Sequence, residues 1–492
     1  MFTGRLCQNN LINTLINNVM NNKKFLLVLI IFPISLLFSQ IKLPSVFKDN
    51  MVLQQQSEVT IWGKSSPNKK ITLKTGWSTE SFSSKAGKDS LWHIKFPTPK
   101  ASYQPYKMVL SEARDSIVIN NILFGEVWLC GGQSNMEMPV KGFGHQPVYG
   151  SLEDIVNSTN NYIRCFTVQR RISLSQKWDS PGSWENASPN TTGNFTAVGY
   201  YFARQLQQVL NVPVGIIHCS YGASTIEAWM SAEALSEFSN IKIPATLPDA
   251  KVQMRVPAVL YNGMLSSVIG YGMRGVIWYQ GESNRTAYDV YPQLFESMHK
   301  DWIKKWKIGE FPIYFAQIAP YDYNDKNKNS VFMREAQTKI AKSQLNTEMA
   351  VLLDVGDSLC IHPPRKKQVG ERLAYIAMAK QYGYDKIYYK SPEYQSFEIN
   401  ENKILLKFDS PQIALISFNK KITGFEIAGI DKKFYPANAT IVGKQFIEVS
   451  AEQVLNPVAV RYAFKDYVQG TLFGSNGLPL TSFRTDDWDE IK

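Results

Sequence analysis

The chain has 492 residues, 44% of them apolar and 12% aromatic, with 53 basic against 42 acidic side chains and a formal charge of +11. That apolar and aromatic content excludes a largely disordered chain, and at about 100–200 residues per domain the length allows two to four domains. Five cysteines exclude the dense disulfide framework of small secreted scaffolds, and five histidines are few enough to weigh one by one.

In chain order the first signal is FLLVLIIFPISLLF (residues 25–38), an apolar run preceded by Lys23 and Lys24. It is too short for a comfortable membrane span and fits the core of a secretory signal. This predicts an exported chain, secreted or periplasmic, cleaved near Ser39 or Gln40. Met20 is an alternative start that would leave residues 1–19 upstream. An uncleaved anchor is the competing reading of the same run. No second run of that kind follows, so no membrane span is expected in the mature chain. Residues 1–40 carry Arg5, Lys23 and Lys24 and no acid, so the mature charge falls to about +8. The remaining basic residues are scattered among acids without a basic stripe, which argues against a nucleic-acid partner.

Residues 41–120 read as short strands separated by turn residues, among them VTIW (59–62), ITL (71–73), LWHIKF (91–96) and SIVI (116–119). This is the spacing of a small antiparallel β-sandwich. From about 121 to 390 strands alternate with helices. NILFGEVWLC (121–130), VGIIHCS (214–220), GVIWYQ (275–280), FPIYFAQI (311–318) and MAVLLD (349–354) are nearly continuous apolar runs, as expected of strands buried on both faces. Helical spacing recurs between them, as in Val198, Tyr201, Phe202 and Leu206, and in Leu294, Phe295, Met298 and Trp302. The expected fold is a parallel three-layer α/β/α domain, with its site at the carboxyl ends of the strands. Residues 140–195 read as an irregular insertion, either lid or substrate wall. Residues 391–492 return to alternation as a second β-region.

Three strand ends carry unusual residues. The first runs into Gly131-Gly132-Gln133-Ser134-Asn135-Met136, which exposes a serine directly after a buried strand. That is where a nucleophile stands, although a plain helix cap reads the same way. The second ends at Ser220-Tyr221-Gly222, where a glycine lets the backbone approach a ligand and donate its N–H. The third ends at Gln280-Gly281-Glu282-Ser283-Asn284, and Asn284 offers a side-chain amide donor. A serine nucleophile needs a base. His93 lies in the first β-region, His145 in the insertion, His218 inside a core strand and His299 on an outward helix face. Only His362, in Ile361-His362-Pro363, falls at the carboxyl edge of the sheet. Asp354 or Asp357 is close enough in sequence to support it. Cys130 and Cys219 read as core thiols. There is no HExxH, no paired Cys-x-x-Cys, no Walker loop and no GxGxxG after a strand, so neither a metal nor another cofactor is expected.

In chain order GQSNM (132–136), Gly222, QGESN (280–284) and IHP (361–363) resemble the blocks of the SGNH hydrolases. WLCGGQSNMEMPV, GASTIEAWM (222–230), MREAQ (333–337), HPPRKKQVGERLA (362–374) and FRTDDW (483–488) are similar to the sialate O-acetylesterase and acetylxylan esterase group, over about residues 45–490. The resemblance implies a flavodoxin-like hydrolase and a serine esterase acting on an O-acetylated sugar or glycan. Ser134 is then the nucleophile, His362 the base, and Ser134 N–H, Gly222 N–H and the Asn284 amide the oxyanion hole. One departure stands out: the superfamily places an aspartate three residues before the histidine, and here that position is Leu359, with Cys360 following. Asp357 is the first choice for the third member and Glu282 the second, with a dyad leaning on a backbone carbonyl as a further alternative. Arg255, Arg285 and Arg334 are available for a sugar carboxylate. Two competing classes are an esterase for lipids or small alcohols and a non-catalytic glycan-binding protein.

Overall fold

The structure, a computed structural model, describes residues 41–488 apart from 114, 250, 325–328, 410 and 411. The expected leader lies outside the described residues, and no helix among these is long and apolar enough to cross a membrane. In the N-terminal region β1 (Val52–Gln54), β2 (Glu58–Lys64), β3 (Lys70–Thr75), β4 (Ser81–Lys85), β5 (Leu91–Pro97) and β6 (Ser102–Glu112) precede β7 (Asp115–Gly132). Alternation decides which side chains point inward. Val59 and Ile61 of β2, Ile71 and Leu73 of β3, Ile94 and Phe96 of β5, and Met108 and Leu110 of β6 share one core.

The boundary expected at residues 120 and 121 falls inside β7, an 18-residue strand. Its first part alternates between exposed and inward residues and pairs antiparallel with β6. From Ile122 onward every residue is buried, because the strand has entered the middle of the α/β sheet. The polar, half-exposed first part and the apolar second part are one continuous ladder, so the two regions are joined without a linker.

Chain order then gives α1 (Ser134–Glu137), β8 (Asn160–Thr167), β9 (Trp184–Ala187), α2 (Ala197–Leu210), β10 (Val214–Ser220), β11 (Gly275–Tyr279), α3 (Tyr291–Trp306), β12 (Ile313–Ala316), α4 (Asn329–Ser343), β13 (Thr347–Ala350) and α5 (Lys366–Gln381). The central sheet has the order β13-β12-β11-β7-β10-β8-β9, parallel throughout except for the β8–β9 pair. The stretch 140–195 is therefore not wholly irregular: it supplies the two strands at one edge of the sheet. Polar residues such as Asn160, Asn161 and Arg164 hide that strand pattern. Buried Arg164 spends its guanidinium on the carbonyls of Asn50, Asn121 and Asn161.

Three layers follow from the period-two alternation. Val127, Leu129, Val276, Trp278, Ile313 and Phe315 pack with Leu294, Phe295, Met298 and Trp302 of α3 and with Met333 and Ile340 of α4. Trp128, Cys130, Ile277, Tyr279, Tyr314 and Ala316 face the other way, onto α2 and α5. After α5, antiparallel strands form two four-stranded sheets, one with Lys403–Asp409 and Phe446–Ser450 at its centre and one with Phe425–Ala428 and Ala459–Tyr462, beside a two-stranded pair of Leu415–Ile416 with Phe473–Gly474. Ile404, Leu406, Phe408, Phe425, Ile427 and Val460 build their shared core. The fold is thus the expected α/β domain with flanking β-regions.

Candidate active site

The site begins with backbone geometry at the end of β7. Gly132 has φ of 136°, and a Cβ there would stand 2.1 Å from the Tyr279 carbonyl oxygen. Only glycine accepts both the angle and the approach. The chain turns out of the sheet into α1, and neighbouring strand ends hold the turn. Gln133 N donates to Tyr279 O at 2.9 Å and Tyr221 N to Gly132 O at 3.1 Å. Gln133 Oε1 accepts from Gly281 N at 3.4 Å and Ser283 N at 3.2 Å. The ends of β7, β10 and β11 are stitched together around Ser134.

Ser134 is partly exposed, and its Oγ lies 2.8 Å from His362 Nε2. The two residues come from opposite ends of the α/β domain. At the other ring nitrogen, Nδ1, stands Gln146 Oε1 at 2.5 Å. An amide oxygen only accepts, so Nδ1 carries the hydrogen and Nε2 keeps a lone pair for the serine proton. The Phe143 ring meets the imidazole edge-on at 5.3 Å between centroids. Burial, reinforced by the Lys366 charge, pushes His362 down to about 4. The imidazole is therefore neutral at pH 7 and able to accept a proton.

The structure does not bring Asp357 to His362. Its Oδ1 accepts from Leu359 N at 2.8 Å and Cys360 N at 3.1 Å, folding the loop as a local turn. Asp354 is held bidentately by Arg372, at 2.7 and 2.6 Å. Glu282 is buried, and its Oε1 accepts from Asn135 Nδ2 at 2.5 Å, not from the histidine. Among the described residues no carboxylate occupies the third position; a glutamine does. Gln146 lies in the long stretch after β7, where nothing in the local sequence marks it.

The donors expected at an oxyanion hole are partly taken. Gly222 N has one hydrogen, and it goes to Glu137 Oε2 at 2.6 Å. Glu137 Oε1 in turn accepts from the exposed Arg170 at 2.9 Å. Burial raises the Glu137 carboxyl above its ordinary range, with Arg170 and Gly222 opposing the shift. Asn284 is buried and oriented. Its Oδ1 accepts from Ile226 N at 2.9 Å and Gln280 Nε2 at 2.7 Å, and its Nδ2 donates to Glu227 at 3.0 Å.

The other histidines separate clearly. His218 is buried with Nε2 2.5 Å from Ser220 Oγ, and burial pushes it down to about 4. His299 does not face solvent as expected: it is buried with Nε2 2.8 Å from Phe311 O, because α3 packs that side on the strand layer. His93 and His145 are exposed. Cys130 and Cys219 are buried core thiols, and Cys165 and Cys360 are also free. Of the arginines, Arg255 gives its Nε to Ala223 O at 3.0 Å and Arg285 stacks on Tyr323 at 4.6 Å. Arg334 is fully buried and bonded to Lys465 O, Asp466 O and Ser482 Oγ. It ties α4 to the C-terminal region and is out of reach of a sugar.

Residues 124–379 match the family described as carbohydrate esterase, sialic acid-specific acetylesterase. The chain belongs to that family. It is similar to a carbohydrate acetylesterase from Xanthomonas citri, at 32% identity and a TM-score of 0.83, over 91% of this chain and all of that one. The sialate O-acetylesterases of Homo sapiens and Pongo abelii are each 28% identical over 89% of this chain and 91% of theirs. This carbohydrate esterase is a carboxylic ester hydrolase. Its family membership covers the α/β domain, in which the strand ends carrying Ser134, Gly222 and Asn284 and the loop carrying His362 lie.

Proposed function

We propose that the chain is an exported sialate O-acetylesterase that removes acetyl groups from sugars through a Ser134 acyl-enzyme. The observation that carries this reading is the 2.8 Å contact between Ser134 Oγ and the neutral His362 Nε2 at the carboxyl edge of the sheet. Sialate O-acetylesterases among its relatives support the substrate class, and the apolar run after Lys23 and Lys24 supports export. Neutral polysaccharide acetates such as acetylated xylan are the alternative substrates.

Ser134 Oγ attacks the acetyl carbonyl carbon while its proton passes to His362 Nε2. Ser134 N–H, Gly222 N–H and Asn284 Nδ2 receive the oxyanion, which requires Glu137 to release Gly222. Collapse breaks the ester bond, and the leaving sugar oxygen takes the proton from His362. Water, deprotonated by the same nitrogen, then cleaves the acetyl-serine to acetate and restores the Ser134 hydroxyl. Gln146 Oε1 holds the imidazole in the working tautomer without offering the imidazolium a negative charge.

The test is acetate release from O-acetylated sialic acid measured beside acetylated xylan, with Ser134→Ala as control. Release from the sialic acid alone supports the full reading; release from xylan alone moves the substrate to neutral polysaccharides. Equal release by wild type and Ser134→Ala overturns the mechanism.

A further inference from the structure

We propose that Asn135 and Lys366 are positioning residues of the ester-cleaving site, a buried clamp that fixes the His362 loop over Ser134 and sets a positive charge behind the imidazole. The proposal rests on Ser134 and His362 being the reacting pair. Asn135 follows the nucleophile directly in α1, and its side chain turns inward, away from the substrate side. One Nδ2 hydrogen goes to Ile361 O at 3.1 Å, the residue before His362. The other goes to Glu282 Oε1 at 2.5 Å, and Oδ1 accepts from Lys366 Nζ. Lysine can only donate and a carboxylate only accept, so the amide has a single orientation. One side chain thereby spans the serine turn, the loop after β11, the histidine loop and the first turn of α5.

Lys366 itself has 0% relative exposure and Asn135 has 1%, so neither can be a solubility residue. Beside the Asn135 amide, Nζ lies 5.3 Å from the centroid of the Tyr279 ring. The titratable groups facing the ammonium are Tyr279, Glu282, Cys360 and His362. Leaving an ammonium in such a place costs several kcal/mol unless it is paired. Glu282 is the opposing charge, joined to the ammonium through the shared Asn135 amide, and its Oε2 has no hydrogen-bond partner among the described residues. Burial pushes Lys366 down to about 7, against the opposing influence of Glu282 and Cys360. Lysine is cationic below that value, hence throughout the range in which His362 would take up a proton. Its charge therefore keeps the imidazole free as a base in mildly acidic solution, with Gln146 supplying no opposing charge.

The experiment uses the full chain and the pH dependence of kcat/KM on an aryl acetate. In Lys366→Met the cation is gone, so the acid limb should move to higher pH by about half a unit or more. Lys366→Gln can still donate to Asn135 without a charge; it should move the limb similarly while keeping more of kcat. Asn135→Asp is isosteric but sets a carboxylate against Glu282. It should lower kcat by about 10–100-fold with KM changed less than about twofold, the signature of misplaced reacting groups. An unmoved acid limb in both lysine variants, or a kcat within about twofold of wild type in folded Asn135→Asp, overturns the proposal. If neither lysine variant folds, the Asn135→Asp result decides alone. Turnover that survives Ser134→Ala would instead remove the reading on which the clamp depends, an outcome independent of the other three variants.

Discussion

Two buried charged sites of this molecule are built in opposite ways. Where α4 meets the C-terminal β-region, Arg334 gives its donors to the Lys465 and Asp466 carbonyls and to the Ser482 and Ser330 hydroxyls. Ser330 also binds Asp466 Oδ1 at 2.5 Å. Beneath Ser134, Lys366 and Glu282 share one asparagine, and Glu282 Oε2 is left without a partner. The first arrangement surrounds a charge with acceptors and ties two regions together. The second leaves its charges less saturated, with the Lys366 ammonium acting on His362. Saturation serves stability and under-saturation serves reactivity, so variants in the two places should change different measurements.

The largest separation is expected from Ser134→Ala. Esterase activity should fall by about 10⁴-fold or more, with thermal unfolding nearly unchanged; a destabilised but active variant would break the distinction. Arg334→Met should do the reverse. It strips the Lys465 and Asp466 carbonyls and the Ser482 hydroxyl of a buried donor, takes the opposing charge from Asp466, and should cost about 3–5 kcal/mol in denaturant unfolding. Any protein still folded should retain near-normal kcat. Gln146→Ala removes the acceptor at Nδ1 and lets the ring adopt the wrong tautomer; kcat should fall by about 10–100-fold without loss of stability. Gln146→Glu should raise the His362 pKa. Activity requires neutral His362 and is lost as pH falls through its pKa, so the acid limb of that variant should lie above the wild-type limb near 4. The smallest effect belongs to Glu137→Gln. An amide holds Gly222 N–H less tightly than a carboxylate does, so an arylboronic acid should inhibit a few-fold more strongly. Weaker inhibition would mean that Glu137 supports the hole and does not compete for it.

Histidine burial provides a stability test away from both places. His218 is pushed down to about 4 while its unfolded value is near 6.5. The unfolded chain then binds more protons between those values. Its contribution is present above about pH 6.5 and lost as pH falls toward 4, about 3 kcal/mol in all. His218→Gln should flatten that part of the stability profile.

Ser134 was legible in the sequence because it directly follows an unmistakable buried strand, and His362 because it is the histidine in the loop between the last strand of the sheet and its helix. The parallel sheet was legible from the same buried strands. β8 was not, since Asn160, Asn161 and Arg164 interrupt its apolar pattern, and the arginine is satisfied by the Asn161 carbonyl together with the distant carbonyls of Asn50 and Asn121. Gln146 could not be found locally, because its partner lies at His362, far along the chain. Lys366 carried a signal that the run HPPRKKQ obscures. It stands three residues before Val369, in phase with Leu373 and Ile376, on the buried stripe of α5. A lysine in phase with an apolar stripe is a better lead than a lysine in a charged run. Asp357 attracted attention by sequence distance alone, and its short side chain serves the nearest backbone amides.

β7 has one more consequence, for how such an enzyme can be cut or recombined. The strand enters as an edge partner of β6 and leaves as the central rail that delivers Ser134. A protein begun at residue 121 would lose the ladder's upstream half together with β1, and would expose the edge of β7 at Leu123, Phe124 and Gly125 that β1 covers. The N-terminal strands therefore cannot be exchanged like beads on a string. They are inherited together with the nucleophile, and protein engineering on this scaffold has to keep both or replace both.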